Sequence, residues 1–229
     1  MIILTPYNFT SAPAGPTDPN FSSVSLLLHG DGANNGTTFV DSSSANRVVT
    51  RVGNSITSTA QYKYGTASIA MDGSGDALTV PASTAFSYGS GDFTIEMWLY
   101  LNTLAGFQYL FDSGLSATFV RIQDSGYFLM YFEGASFGAI PVTLALNAWK
   151  HVAVTRSGTS VKLFYDGNAV FSGTSSATAG NSTNSLTIGN YGGLGNFGVN
   201  GYIDEFRITK GVARYTANYT PPSAAFPNS

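Results

Sequence analysis

Short apolar runs separated by turn-forming residues repeat along the chain from Val24 onward, and this pattern limits the chain to a β-rich fold. The gaps between the runs carry Gly, Asn and Asp, as in the pair Asp166-Gly167, which favours a tight hairpin turn. No stretch shows a sustained helical period. Short runs spaced in this way predict an all-β, antiparallel two-sheet sandwich. The predicted strands cover residues 25–29, 68–72, 77–80, 93–101, 108–113, 119–123, 127–132, 151–157, 160–165, 186–189 and 201–209.

The composition agrees with a single β-domain preceded by an arm. At 229 residues the chain has the size of one all-β sandwich, and its aromatic content of 14% favours pleated surfaces. Residues 1–23 are rich in proline among small and polar residues, a composition that favours extended backbone. We therefore expect an extended Pro-rich N-terminal arm over 1–23 and one domain over 24–229. The alternative for the arm is a disordered terminus.

Charge and cysteine content exclude several classes of function. The net charge is −3 and no block of like charges occurs, so we expect no nucleic-acid partner and no attraction to anionic lipid. Cysteine is absent, which excludes disulfides, thiol nucleophiles and cysteine-based metal sites. The opening M-I-I-L-T-P-Y lacks a basic region and is broken by Thr5 and Pro6, so we expect neither a signal peptide nor membrane insertion.

Four segments, in this order and spacing, resemble the laminin-G-like, concanavalin A-like lectin/glucanase family. They are A-M-D-G-S-G-D-A-L-T-V-P at 70–81, G-D-F-T-I-E-M-W-L-Y at 91–100, W-K-H-V-A-V-T-R at 149–156 with L-F-Y-D-G at 163–167, and G-Y-I-D-E-F-R-I at 201–208. The resemblance covers about residues 25–222. It implies a jelly roll of two curved antiparallel sheets that binds carbohydrate or protein, often with a calcium ion near one rim.

The segment G-V-A-R-Y-T-A-N-Y-T-P-P at 211–222 is similar to versions of this family found in phage virion proteins and large surface adhesins. This resemblance, the missing signal peptide and the missing catalytic set predict a non-enzymatic protein on the virion surface, either a phage head decoration or a tail-associated adhesin. The expected partners are other virion proteins through the arm, further copies of the chain in a homo-oligomer, and a cell-surface glycan. The alternatives are a stand-alone carbohydrate-binding module and a glycoside hydrolase.

A glycine-rich segment at 189–198, G-N-Y-G-G-L-G-N-F-G, is the candidate ligand-binding loop. Exposed Tyr191 and Phe197 could stack on sugar rings, while Asn190 and Asn196 could hydrogen-bond to hydroxyl groups. The loop could equally be an oligomer contact or a plain turn. Strand alternation assigns most other aromatic side chains of this region to the core, namely Phe107, Tyr109, Tyr127 and Tyr131, and Trp98 is assigned there as well.

Hydrolysis of glycans requires two carboxylates about 5 to 9 Å apart. The chain has three glutamates, Glu96, Glu133 and Glu205, and none lies in the E-x-D-x-x-E pattern typical of related β-glucanases. We therefore predict no catalytic residues, and a shared site of Glu96 with Glu133 is the alternative. The two histidines, His29 and His151, are interpreted as structural.

Aspartates in the glycine-rich turns are the candidate ligands of a structural Ca²⁺ ion, which takes six to eight oxygen ligands. Asp31, Asp41 and Asp204 would come together if the first and last strands are neighbours, as the resemblance implies. Asp72 and Asp76 are a second option, for which turn formation is the other explanation.

The strand predicted at 201–209 alternates apolar and charged residues and is interpreted as a half-buried closing strand. Its Glu205 and Arg207 are interpreted as a surface pair or an interface.

Overall fold

A computed structural model describes residues 17–114, 117–124, 126–132 and 134–229, and these form two antiparallel sheets packed face to face. The first, sheet A, contains β1 (Val24–Leu28), β3 (Ile56–Ser58), β4 (Ser68–Asp72), β7 (Phe93–Leu101), β12 (Trp149–Ser157), β13 (Ser160–Tyr165), β14 (Asn168–Thr174) and β17 (Asn200–Lys210). The second, sheet B, contains β2 (Thr50–Val52), β5 (Ala77–Val80), β8 (Gln108–Ser113), β9 (Thr118–Gln123), β10 (Tyr127–Phe132), β11 (Ala135–Pro141) and β16 (Leu186–Ile188). A small third sheet pairs β6 (Ser87–Gly89) with β15 (Ala179–Gly180).

Sheet order confirms the predicted jelly-roll sandwich. The strands of sheet A follow the order β14-β13-β12-β7-β17-β4-β3, with β1 also paired to β17. Those of sheet B follow the order β11-β10-β9-β8-β16-β5-β2. Helical structure among the described residues is limited to two short 3₁₀ turns, Phe21–Ser23 and Thr84–Phe86. No helix in that part of the chain is long and apolar enough to cross a membrane.

The alternation in β7 shows how the sequence assigns side chains to faces. Phe93, Ile95, Met97, Leu99 and Leu101 point into the core between the sheets. Successive side chains of a strand point to opposite faces, so the residues between them lie on the outer face of sheet A. The alternation of F-T-I-E-M-W-L-Y-L at 93–101 thus matches the division of its side chains between the two faces.

A β-bulge in β17 explains how both acids of D-E-F-R leave the core. The pairing with β7 shifts between Asp204 and Arg207, and Glu205 has a φ of 52°. The extra residue lets Phe206 and Ile208 return to the core. The strand lies in the middle of sheet A and is buried along nearly all of its length, rather than half-buried as the sequence indicated.

The interpretation of Glu205 and Arg207 as a surface pair is wrong. Both side chains are buried, and they have different partners. The carboxylate of Glu205 lies 2.7 Å from His29 Nδ1 and accepts a hydrogen bond from the backbone N–H of Phe226 at 2.7 Å. Arg207 instead points to Glu96 of the neighbouring strand. Alternation could not reveal this, because the bulge separates the two side chains.

Residues 211–229, here called the C-terminal tail, cover the outer face of sheet A. The hydroxyl of Tyr215 donates to Glu96 Oε2 at 2.7 Å, and the Tyr219 hydroxyl lies 2.8 Å from His151 Nδ1. The rings of Tyr215 and Tyr219 stack with centroids 3.6 Å apart. His29 likewise has partners within the fold, the side chains of Glu205 and Asn228.

The described end of the predicted arm also packs against the domain. Phe21 packs against a small cluster of Val24, Leu27 and Phe226. The backbone N–H of Asp18 donates to the carbonyl of Ser229 at 2.6 Å, so the two ends of the described chain meet. Residues 1–16 of the arm lie outside the described residues.

A network of buried charges fastens the tail and residue 18 to sheet A. Glu96 accepts hydrogen bonds from Nε and Nη2 of Arg207 at 3.0 and 2.8 Å. Asp18 accepts from Nη1 of Arg207 at 3.1 Å and from Nη2 of Arg214 at 2.6 Å. The Arg207 guanidinium also lies 3.7 Å from the ring centroid of Phe226. Every charge in the network therefore has an opposite charge within hydrogen-bonding distance.

The network determines which form of Glu96 the fold favours. Burial alone would raise the pKa of this carboxyl, but Arg207, His151 and Tyr215 outweigh burial and lower its pKa to about 2. Burial also opposes ionisation of Asp18, whereas hydrogen bonds from Arg214 and Asn20 lower its pKa below the usual value. Both carboxylates therefore stabilise the folded protein in their charged form.

We predict that Glu96→Gln lowers the free energy of unfolding by about 3 kcal/mol, because Arg207 then loses one of its two buried counter-charges. Urea unfolding at pH 7 measures the change. Lys162→Gln, at a half-buried side chain bonded to Ser172, is the control for a change of charge and should stay within about 0.5 kcal/mol of the wild type.

The same substitution predicts a pH effect with a definite sign. A lowered folded pKa contributes stability that is present above the unfolded value of 4.5 and is lost as pH falls toward about 2. The wild type should therefore lose more stability than Glu96→Gln between pH 4.5 and 2. Parallel losses in the two proteins would contradict the role of Glu96.

Candidate functional site

The outer face of sheet B carries a patch of aromatic side chains. In β9 and β10 the core takes Val120, Ile122, Phe128, Met130 and Phe132, so the residues between them point outward. A register shift in β8 lets Tyr109 face outward as well. We call the resulting set the aromatic face, and it consists of Phe107, Tyr109, Phe119, Tyr131, Tyr191 and Phe197.

The rings of the aromatic face contact one another in a continuous row. The centroids of Tyr109 and Phe119 are 5.0 Å apart, and those of Phe119 and Tyr131 are 5.4 Å apart with nearly parallel planes. Tyr191 lies 5.4 Å from Tyr109 on the other side. Phe197 is 39% exposed at the end of the row. The row therefore combines buried supporting rings with rings open to solvent.

The loop at 189–198 is anchored so that its aromatic residues reach this face. The Asn190 side chain is fully buried, and its Nδ2 donates to the carbonyls of Asp76 and Gly195, both at 2.9 Å. The N–H of Tyr109 donates to the carbonyl of Phe197 at 2.9 Å, which joins the loop to β8. The loop is thus fixed on both sides rather than free.

The structure separates the four predicted ligand residues into two groups. Tyr191 and Phe197 join the aromatic face, with ring centroids 6.2 Å apart. Asn196 is exposed on the same loop and its Oδ1 accepts a hydrogen bond from Ser74 at 3.4 Å. The side-chain amide of Asn190 instead donates to the backbone carbonyls that hold the loop in place.

A polar row borders the rings. Arg121 lies with its guanidinium 4.5 Å from the ring centroid of Phe107 and donates from Nη1 to the Tyr109 hydroxyl at 2.9 Å. Its Nη2 donates to Oε1 of Gln123 at 2.7 Å, and Nε2 of Gln123 donates to the Tyr127 hydroxyl at 2.8 Å. The face therefore offers both stacking surfaces and polar groups, the combination expected of a small-molecule site.

The assignment of Tyr127 and Tyr131 to the core is wrong, because both are half-buried on the outer face of sheet B. Tyr109 is buried, as expected, but on the same outer face. Phe107, assigned with them, is 37% exposed. In Y-F-L-M-Y-F at 127–132 both alternating sets are apolar, so alternation alone does not say which one faces the core. One signal was available in β9, where Arg121 stands between Val120 and Ile122 and marks the outward set.

Trp98, assigned to the core, is buried at 3% exposure, and its burial lies on the outer face of sheet A. It is buried there by residues 61–66, with Lys63 Nζ 4.1 Å from its ring centroid and the Tyr64 ring 6.0 Å away. The carboxylate of Asp204, opposite Trp98 in the pairing of β17 with β7, accepts the backbone N–H groups of Lys63 and Tyr64 at 2.7 and 3.1 Å.

The three predicted calcium ligands have separate structural roles. Asp41 accepts from the backbone N–H groups of Leu27, Ser43 and Arg47 and from the Ser43 hydroxyl, which uses both of its oxygens. Asp31 accepts hydrogen bonds from the backbone N–H and the hydroxyl of Thr66. Asp204 accepts the backbone N–H groups of Lys63 and Tyr64.

No three His, Asp or Glu side chains gather into a metal-binding group in the part of the chain that the structure describes. The second option, Asp72 with Asp76, is engaged in the turn between β4 and β5, where Asp76 accepts from the N–H groups of Asp72 and Asn54. Calcium binding stays a prediction that a titration can test.

Two of the three glutamates, Glu96 and Glu205, lie among the described residues, and both are buried. Glu96 has no exposed surface and is enclosed by Arg207, Tyr215 and His151. Glu205 is 1% exposed and holds His29 and Phe226. Glu133 lies outside the described residues.

Two buried polar atoms near the bulge have no hydrogen-bond partner, Oδ1 of Asp204 and Nε1 of Trp98. Burial raises the pKa of Asp204 to about 7, and the nearby charge of Glu205 adds to this shift, while the backbone N–H groups of Tyr64 and Lys63 oppose it. Burial therefore makes the charged form of Asp204 costlier to the fold than that of an exposed aspartate.

The family model described as the concanavalin A-like lectin/glucanases superfamily matches residues 72–214. Comparison with curated proteins gives no match.

Three solved structures illustrate the likeness. The binding domain of Paraclostridial mosquitocidal protein 1 aligns with a TM-score of 0.64 and 15% identity, over 84% of this chain and 50% of that one. Domain 4 of an extracellular arabinanase from Geobacillus stearothermophilus, in complex with arabinotriose, aligns at 0.61 and 15%, over 83% of this chain and 94% of that one. A structure of botulinum neurotoxin type C, which depends on interaction with two ganglioside molecules to enter cells, aligns at 0.57 and 15%, over 84% and 49%.

The chain thus spans about half the length of the two toxin chains and most of the arabinanase domain. At 15% identity, these likenesses show a shared fold.

We predict that Asp204→Asn changes how stability depends on pH. Because the folded pKa is raised from 3.8 to about 7, the carboxyl contributes stability that is complete below pH 3.8 and is lost as pH rises through 7. Asparagine keeps the acceptor for Lys63 and Tyr64 and cannot ionise. The Tm of the wild type, measured by thermal melts, should therefore fall relative to the variant between pH 4 and 7. Curves that run parallel over this range would contradict the assignment.

Proposed function

The chain belongs to the concanavalin A-like lectin/glucanases superfamily, and we propose that it is a non-enzymatic module that binds glycans on the outer face of sheet B. The aromatic face is the observation that carries this proposal. Tyr191 and Phe197 present rings to solvent beside the polar row of Arg121 and Gln123. Rings of this kind stack on the apolar faces of sugars, and the polar groups fix the orientation of hydroxyl groups.

Two of the similar structures support a glycan as the ligand class. The arabinanase domain is described in complex with arabinotriose, and the neurotoxin depends on two ganglioside molecules. Both ligands contain sugars, and both proteins share this fold. A glycan is therefore the ligand we infer for this chain.

The two outer faces of the sandwich differ in a way that supports attachment through one face and ligand binding through the other. Sheet A carries the C-terminal tail and the end of the arm on its outer side, whereas the aromatic face lies on the outer side of sheet B. Because the sheets pack through a common core, these sides point in opposite directions. A module attached at the tail and arm would present its aromatic face away from the attachment point.

The buried glutamates support a binding rather than a hydrolytic role. A glycosidase needs two carboxylates that reach the scissile bond, one of them able to give up a proton. Glu96 is enclosed and stays ionised at neutral pH, and Glu205 is occupied by its own partners. We therefore propose that the module binds glycans without cleaving them.

We further infer that the module works on the surface of a virion, as a phage head decoration or a tail-associated adhesin. The tail segment 211–222 supports this setting through its similarity to versions of the family in phage virion proteins. The proposed partners are other virion proteins, reached through the arm, and further copies of the chain. Many copies on one particle would compensate for weak individual contacts with a glycan.

The glycan proposal predicts that Tyr191→Ala and Phe197→Ala each weaken binding about tenfold, since one ring contact contributes about 1.4 kcal/mol. A glycan array identifies ligands for the wild type, and calorimetric titration then measures Kd for each variant. Tyr62→Ala is the matched control, because Tyr62 is an exposed ring far from the aromatic face on the chain segment beside Asp204. A wild type that binds no glycan, or variants that bind like the control, would refute the proposal.

For the arm, we predict that deletion of residues 1–16 abolishes co-sedimentation with the virus particle and leaves Tm unchanged. The cut stops at residue 16 because Asp18 neutralises Arg207 and Arg214. A protein in which residues 1–16 are replaced by a Gly-Ser linker of equal length is the control and should also fail to attach. Attachment by either protein would exclude the arm as the contact.

A further inference from the structure

Arg121 has no acidic hydrogen-bond partner among the residues that the structure describes. Among the described residues it forms no ion pair, and two of its five N–H groups donate to neutral oxygens of Tyr109 and Gln123. Its Nε is buried without a hydrogen-bond partner. Each Nη therefore keeps one N–H that no described group accepts.

A second arginine shows what a purely structural guanidinium looks like in this protein. Arg156 is 1% exposed, and its nitrogens donate to the carbonyls of Gly158, Gly89, Ala177 and Ser175. Four carbonyl oxygens enclose that charge on several sides. Arg121 has no such enclosure and is partly open to solvent.

The surroundings of Arg121 make an anion the complementary ligand. Its guanidinium lies 4.5, 5.4 and 5.7 Å from the ring centroids of Phe107, Tyr109 and Phe119. The rings hold the planar group in place and limit its contact with water, which strengthens a hydrogen bond to a charged acceptor. The protein as a whole has a net charge of −3, so attraction of an anion has to come from this local group.

We propose that Arg121 binds the carboxylate of an acidic sugar, so that the ligands of the aromatic face are glycans carrying uronic or sialic acid. This inference rests on the proposed glycan-binding function. The sugar ring stacks on Tyr191 and Phe197, and its carboxylate accepts the free N–H groups of Arg121. Gln123 and Tyr127 continue the polar row and are placed to meet hydroxyl groups of the next sugar.

The test compares each glycan with its own methyl ester, which removes the charge and keeps the sugar ring. The probes are 3′-sialyllactose and a galacturonic acid trimer, each as the free acid and as the methyl ester, with lactose and a galactose trimer as neutral references. For the wild type we expect the free acid to bind about ten to a hundred times more tightly than its ester. This comparison needs no substitution, so it does not depend on whether a variant folds.

Variants then assign the preference to one residue. Arg121→Gln should bind the free acid and the ester equally, and its affinity for the neutral references reports any general loss of binding at the face. Arg121→Lys should keep part of the preference, because lysine retains the charge and loses the planar fork. Lys162→Gln, on sheet A, removes the same charge elsewhere and should behave like the wild type.

The outcomes separate the two proposals. Equal binding of acid and ester by the wild type, or a preference that persists in Arg121→Gln, overturns the acidic-sugar inference and leaves the glycan-binding function standing. Binding of none of the probes, acidic or neutral, while a polyglutamate peptide binds, overturns both, since the face would then recognise acidic peptides. Binding of no probe of any kind also overturns the acidic-sugar inference.

Discussion

The ion pair between Glu96 and Arg207 ties the central strands, the C-terminal tail and residue 18 together on the outer side of sheet A. It joins the two central strands β7 and β17, and Arg207 then reaches Asp18 while Tyr215 reaches Glu96. Burying these charges is costly, and only complete hydrogen bonding offsets the cost. The network meets this condition with residues that are far apart in sequence. The tail and residue 18 are thus bonded to the same two charges that join β7 to β17.

The bulge at Glu205 decides which face of the sandwich is left open. It sends two consecutive acids outward, where Asp204 holds residues 63 and 64 and Glu205 holds the tail at Phe226. The outer side of sheet A is thereby covered from two directions. Exposed aromatic rings and polar groups that can form further hydrogen bonds therefore lie together on the outer face of sheet B.

The sequence was informative wherever neighbouring residues carried the signal. The alternation of β7 gave both its bounds and its core face, and the apolar runs gave the sandwich. It failed at Tyr127 and Tyr131, because β10 is apolar on both faces. It also did not show that Tyr109 is buried on the outer face, because β8 contains a register shift. It also placed Arg207 at the surface, since its partner Glu96 is 111 residues away and no local pattern records such a pair.

The hydrogen bond between Asp18 and Ser229 has a consequence for how this fold can be rearranged. Once residues 1–16 are removed, residues 18 and 229, which already touch, can be joined by a short peptide with little additional loss of entropy. The chain could then be reopened at an exposed turn, such as the one at Gly158 between β12 and β13, to give a circular permutant with the same sheets. For the same reason the sandwich could be inserted into a surface loop of another protein, because it would enter and leave at one point.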